Sequence, residues 1–161
     1  MAQLDAFSDL LDYPMYVVTA AAGGERAGCL VGFASQCSIR PPRFAVWLSV
    51  ANRTYRVARQ ATHLGVHLLH REQGELARLF GGETGDEIDK FDRVTWQPSH
   101  DGVPVLPDAC AWFVGRVHSR IDGGDHMGFL LDPVDASPAA TGRPTPIMFS
   151  DVTDLSPGHP A

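Results

Sequence analysis

A chain of 161 residues is long enough to bury a core without disulfides or metals, and it fits one domain spanning residues 1–161. Its 13 Lys and Arg against 19 Asp and Glu give a formal net charge of −6 with no basic cluster, which sets aside a nucleic-acid-binding surface. No apolar run approaches membrane-spanning length, and the three cysteines (Cys29, Cys37, Cys110) fit no metal spacing, so the chain reads as a reduced, soluble, cytoplasmic protein with small core thiols.

Leu4, Phe7, Leu10 and Leu11 share one helical face, which predicts a short N-terminal helix ending before Pro14. "MYVVTAA" is a β-branched and aromatic strand turned back by Gly23-Gly24. The next strand starts at Gly28, passes Phe33 and is expected to run on through Cys37. After Pro41-Pro42, "RFAVWLSV" alternates Phe44, Val46 and Leu48 with Ala45, Trp47 and Ser49. "NRTYRVARQA" predicts a helix capped by Asn52 or Thr54.

"HLGVHLL" has strand period, and "EQGELARLFGG" is a helix with Leu76, Leu79 and Phe80 inward, stopped by Gly81-Gly82. "GDEIDKFDRVTW" passes from a helical turn into a strand ending at Trp96. "ACAWFVGRVHSRI" is a long alternating strand, followed across Asp122-Gly123-Gly124 by "GDHMGFLLDPVDA". "PTPIMFSDV" predicts a last short strand, and residues 150–161 an extended tail. About seven strands with two or three helices inserted make a mainly β chain with a few helices, and a small barrel is the expected form. Such a barrel suits a symmetric dimer.

Within "GCLVGFASQCSIRPP" the strand turns from apolar residues to small and hydroxyl ones: Gly32, Ala34, Ser35 and Ser38. Small side chains let a flat ligand lie against the backbone, with hydroxyls and main-chain N–H groups as donors. Shortly afterwards Ser49, Asn52, Arg53 and Thr54 stand where a strand enters a helix, an arrangement suited to an anion. Read singly, Asn52-Arg53-Thr54 is a helix cap with a solvated arginine, and Ser35 and Ser38 are turn residues. In order and close together, the two stretches describe a planar ring joined to a phosphate, as in flavin mononucleotide.

The run from Gly28 to Pro41-Pro42, then "FAVWLSVANRTY", "RLFGG", "DKF…W" and "GGDH", resembles the flavin reductase-like, FMN-binding split-barrel family from about Tyr13 to Phe149. The resemblance implies a Greek-key split β-barrel of six or seven strands, homodimeric, holding FMN or alternatively FAD near the dimer interface. By position Gly32, Phe33, Ala34 and Ser35 would border the flavin ring, Ser38 the ribityl chain or phosphate, and Ser49, Asn52, Arg53 and Thr54 the phosphate. Phe80 would help to wall the pocket. His126, the one catalytic residue the resemblance suggests, would orient a nicotinamide or buffer charge on reduced flavin.

The implied activity is NAD(P)H-dependent flavin reduction, with NADH or NADPH as co-substrate and a flavin-dependent monooxygenase or another electron acceptor as partner. The alternatives are a non-catalytic FMN-binding electron carrier and a split barrel holding a deazaflavin or haem. Leu30, Phe33 and Gln36 replace the family's Ser or Thr, so the slot is more apolar here. The end after "PIMF" lacks the family's Arg/Gly/Tyr ending.

No metal is expected. His63, His67 and His70 lie on a strand pattern that points His70 away from the other two, and Asp122, Asp125 and His126 read first as a hairpin turn. Asp86, Glu87, Asp89 and Asp92 read as a solvated helix face, and Cys37 as a buried small residue.

Overall fold

The computed structural model of the chain describes residues 1–82 and 89–155. Its strands are β1 (Tyr16–Ala22), β2 (Glu25–Val31), β3 (Ala34–Ile39), β4 (Pro42–Ser49), β5 (His63–Leu68), β6 (Gln97–Pro98), β7 (Pro104–Val105), β8 (Ala111–Asp122) and β9 (His126–Ala136). Among the described residues, α1 (Asp5–Ser8) precedes the strands, and α2 (Arg53–Ala58) and α3 (Gly74–Gly82) interrupt them. The seven longer strands form one antiparallel sheet in the order β2-β1-β5-β8-β9-β4-β3, and β6 pairs only with β7.

β2 and β3 are the two edges of that sheet, yet only Gly32 and Phe33 separate them along the chain. The three Cα steps from Val31 to Ala34 reach no more than about 11 Å. The edges are therefore brought together at this corner, and the sheet curls into a barrel. They do not pair with each other, so the barrel stays split along the seam. The expectation of a mainly β, seven-stranded split barrel holds.

The barrel interior is filled by Val18, Val46, Leu48, Leu64, Phe129 and Leu131, with Val57 and Ala58 of α2 packed against them. A second cluster lies on the other side of β1 and β2, where Val17, Phe80, Phe91 and Ile147 meet. β1 thus buries both faces, which is why "YVVTAA" shows no polar-apolar alternation, and the Thr19 hydroxyl within it donates to Pro104 O at 2.6 Å. Phe80 is only 1% exposed, and burial of a side chain that size contributes about 1.5–3 kcal/mol.

Several expectations are corrected. The strand expected from Gly28 through Cys37 is two strands, broken at Gly32-Phe33, because β3 must leave β2 to pair with β4. Cys37 is exposed on that edge, at a bulge between Gln36 and Ser38, rather than buried. α1 is four residues long and buries none of them; Leu4, Phe7, Leu10 and Leu11 are all exposed. The segment after α3 forms a 3-10 turn, Lys90–Arg93, and its strand is the two-residue β6 beyond Trp96.

No strand forms over "PTPIMFSDV". Isolated bridges join Pro146 to His70 and Met148 to Pro14, and a 3-10 turn covers Phe149–Asp151. The expected tail is packed at its start, since Val152 is 8% exposed and Leu155 lies against the second cluster. Asp86, Glu87 and residues 156–161 lie outside the described residues. Among the described residues no group of three candidate ligands could hold a metal, and no helix is long and apolar enough to cross a membrane.

Candidate functional site

The split in the barrel opens a cleft of about 250 Å³, walled by β2 and the corner at Gly32-Phe33 on one side and by β4 and the start of β9 on the other. Register assembles the second wall. β4 pairs with β9 so that Ser49 stands opposite His126 and Trp47 opposite Gly128. Trp47 N donates to Phe33 O at 2.9 Å, and Val50 N donates to Asp125 O at 2.9 Å. Phe33, Trp47, Ser49 and His126 are thereby gathered from three separate segments.

The rings of Phe33 and His126 lie 5.1 Å apart. Asp125 Oδ1 stands 2.7 Å from His126 Nδ1, which places the proton of a neutral imidazole on Nδ1 and leaves Nε2 as the free acceptor. Trp47 lies against two glycines. A Cβ at Gly123 would stand 2.7 Å from its ring, and a Cβ at Gly128 2.8 Å. Gly124, at φ +119°, supplies the turn that a side-chain-bearing residue would resist.

At the far end of the cleft α2 begins. Asn52 caps it, Oδ1 accepting from Thr54 N at 2.9 Å, so the cap reading of Asn52 is correct geometry. Ser49 Oγ accepts from Ala51 N at 3.3 Å. Thr54 is buried, and Cys29, which lines the cleft between these residues and the corner, has its thiol pushed up by burial despite hydrogen bonds to Thr54 and Asn52. Arg53 turns to β2: Nη1 donates to Arg26 O at 3.0 Å, and Nη2 lies 3.7 Å from Glu25. A second cavity, also about 250 Å³, opens there, lined by Arg26, Arg53, Thr54 and Lys90 and sharing Asn52 with the cleft.

Of the residues singled out in the sequence, Gly32, Phe33, Ser49, Asn52 and His126 line the cleft, and Arg53 and Thr54 line the adjoining cavity. Ala34, Ser35 and Ser38 lie along the edge strand β3 and line neither space. Phe80 sits behind β2 in the second cluster, where a Cβ on Gly28 would come within 2.7 Å of its ring; it is not a wall of the cleft. Sequence reading missed Tyr13, Trp47 and Phe149 as cleft residues. The signal for Trp47 was its place opposite a glycine-bearing hairpin; Tyr13 and Phe149 gave none, since their meeting is tertiary.

A family model described as "Flavin reductase like domain" matches residues 8–154. A ferric-chelate reductase (NAD(P)H) of Archaeoglobus fulgidus is 30% identical over 128 residues, 78% of this chain and 76% of its own. The reductase subunit HsaB of a flavin-dependent monooxygenase of Mycobacterium tuberculosis is 29% identical over 133 residues, 79% of this chain and 70% of its own. In fold, the NADH:FAD oxidoreductase SgcE6 of Streptomyces globisporus superposes with a TM-score of 0.80 at 22% identity, covering 94% of this chain and 92% of that one.

Proposed function

This chain belongs to the flavin reductase-like family, and from that premise we propose that it is an NAD(P)H-dependent flavin reductase supplying reduced flavin or electrons to a partner protein. The observation that carries the reading is the cleft in the barrel's seam, with its aromatic end at Tyr13, Phe33 and Phe149 and its polar end at Ser49 and Asn52. Gly32, in the corner beside the rings, and Cys29, on β2 beside Asn52, are three Cα steps apart, at most about 11 Å. That span suits a planar ring at one end and a phosphate, reached through a ribityl chain, at the other. The residues present fit FMN, and the adjoining cavity leaves room for the longer FAD.

Bound flavin would supply the two-electron carrier that accepts hydride from a nicotinamide. The chain's own work is placement. Phe33 borders the ring, Asn52, Arg53 and Thr54 hold the anionic end, and His126 meets charge that develops beside it. No side-chain nucleophile is required.

The same reading includes a homodimer of single-domain chains. The bare apolar residues of α1 and the segment after it suit burial against a second copy, which sedimentation would reveal as a doubled mass. A flavin-dependent monooxygenase is the proposed electron acceptor, in keeping with the role named for the M. tuberculosis relative. The direct test is anaerobic titration of the flavin-loaded protein with NADH, then NADPH. Bleaching of the visible flavin band is expected. A band that forms and does not bleach would instead favour an electron carrier.

A further inference from the structure

Tyr13 and Phe149 come from opposite ends of the chain and meet at the cleft, ring centroids 5.1 Å apart and planes inclined by 23°. Backbone pairing builds the meeting: Met15 N donates to Ile147 O at 3.0 Å, and Phe149 N to Tyr13 O at 2.8 Å. Asp12 fastens the end of this short pair, its carboxylate accepting from Ser150 N at 3.0 Å and from Ser150 Oγ at 2.7 Å. Those two bonds hold the Asp12 carboxyl below the usual carboxylate range.

Tyr13 reaches over the corner of the barrel, where a Cβ on Gly32 would stand 2.6 Å from its Cε2. The space above Gly32 is therefore filled by a ring of the protein, and the cleft ends there. Phe149 keeps 39% of its surface exposed beside Tyr13, and Phe33 keeps 54%. Aromatic surface left open at a cleft is surface a ligand can cover.

We propose that Tyr13 and Phe149 form the wall that positions the flavin ring, and that Asp12 and Ser150 are positioning residues that hold this wall in place. The proposal rests on the flavin-binding reading above. An isoalloxazine has one hydrocarbon edge and one edge of hydrogen-bonding atoms. The ring end of the cleft is divided in the same way, with Tyr13, Met15, Leu30 and Phe149 apolar and His126, beside Phe33, polar, while Ser49 and Asn52 stand at the phosphate end. The hydrocarbon edge packs on the Tyr13–Phe149 wall. Because that wall joins the two ends of the chain, flavin affinity depends on a clasp that touches no ligand.

The test is titration of the full chain and its variants with FMN, following flavin fluorescence and the shape of the visible band. Tyr13→Ala and Phe149→Ala are each expected to raise the Kd about tenfold and to weaken the change in the band, while Tyr13→Phe stays within about twofold. Asp12→Ala is expected to raise the Kd about threefold with every wall atom retained. Circular dichroism and thermal midpoints without flavin report folding separately, and the milder Phe149→Leu carries the test where an alanine variant does not fold. Wild-type affinity and band shape in folded wall variants overturn this proposal and leave the flavin reading standing. A wild-type chain that binds no flavin overturns both.

Discussion

His126 and Phe33 face each other at the seam of the barrel, rings 5.1 Å apart and planes at 49°. Phe33 belongs to the two-residue corner that lets the sheet curl back on itself, and His126 opens the strand that pairs with the far wall. The pair is therefore a product of barrel closure. Asp125, 2.7 Å from Nδ1, fixes which nitrogen of His126 is left for a ligand.

Replacing His126 by alanine is expected to lower kcat/KM for nicotinamide oxidation about tenfold to a hundredfold and to change flavin affinity by less than about threefold. Stopped-flow reduction and a flavin titration on the same preparation separate the two effects. The reverse pattern, with lost affinity and intact chemistry, would place His126 in cofactor retention.

Gly128 and Gly123 form the bed on which Trp47 lies, and Trp47 in turn lines the cleft. A methyl group at Gly128 would stand 2.8 Å from Trp47 Cζ3 and 2.9 Å from Cη2, too close for the ring to keep its place. Gly128→Ala should push the indole toward the cleft, weaken flavin binding about tenfold and shift tryptophan emission, while costing about 1–3 kcal/mol in stability. Unchanged flavin affinity in a folded variant would remove Trp47 from the binding wall.

The seven-strand barrel was legible because its long strands carry β-branched and aromatic residues between clear turn signals, such as Gly23-Gly24 and Asp122-Gly123-Gly124. The break at Gly32-Phe33 was not legible. The single Gly32 in "LVGFASQ" is too weak a signal to mark a turn, and the chain bends there because β3 gains a partner in β4 that lies across the next hairpin. The start of α2 at Asn52-Arg53-Thr54 was readable, since a cap is a local motif. The aromatic wall was not, because Tyr13 and Phe149 are joined only by a tertiary contact. Phe80 failed for the opposite reason: its helix face was read correctly, but that face packs on the outer side of β2.

His67 offers a pH test of the fold. It is fully buried between β1 and the segment after β7, Nδ1–H donating to Val17 O at 2.9 Å and Nε2 accepting from Leu106 N at 3.0 Å. Burial lowers its pKa from 6.5 to about 4. Between those values the unfolded chain binds a proton that the folded chain refuses, so stability rises with pH across that window. The full contribution, about 3 kcal/mol, is present above pH 6.5 and is lost as pH falls toward 4. Urea unfolding from pH 4 to 7.5 should show this slope. His67→Phe should flatten it while lowering stability at pH 7.5, because Val17 O and Leu106 N lose their partner.

Arg53 is the sharpest test of how the site divides between ring and phosphate. Its guanidinium is tied to Arg26 O and lies near Glu25, so it joins the start of α2 to β2 beside the cleft. If it also holds the flavin's phosphate, Arg53→Ala should raise the Kd for FMN about tenfold, as expected for a lost charge-assisted hydrogen bond. The Kd for riboflavin, which has the same ring and no phosphate, should stay within about twofold. Equal losses for both ligands would mean that Arg53 acts through the α2–β2 junction, and the anionic subsite would then lie elsewhere. A loss confined to FMN would assign the phosphate to the start of α2 and leave the ring to the aromatic end of the cleft, where Tyr13, Phe33 and Phe149 stand.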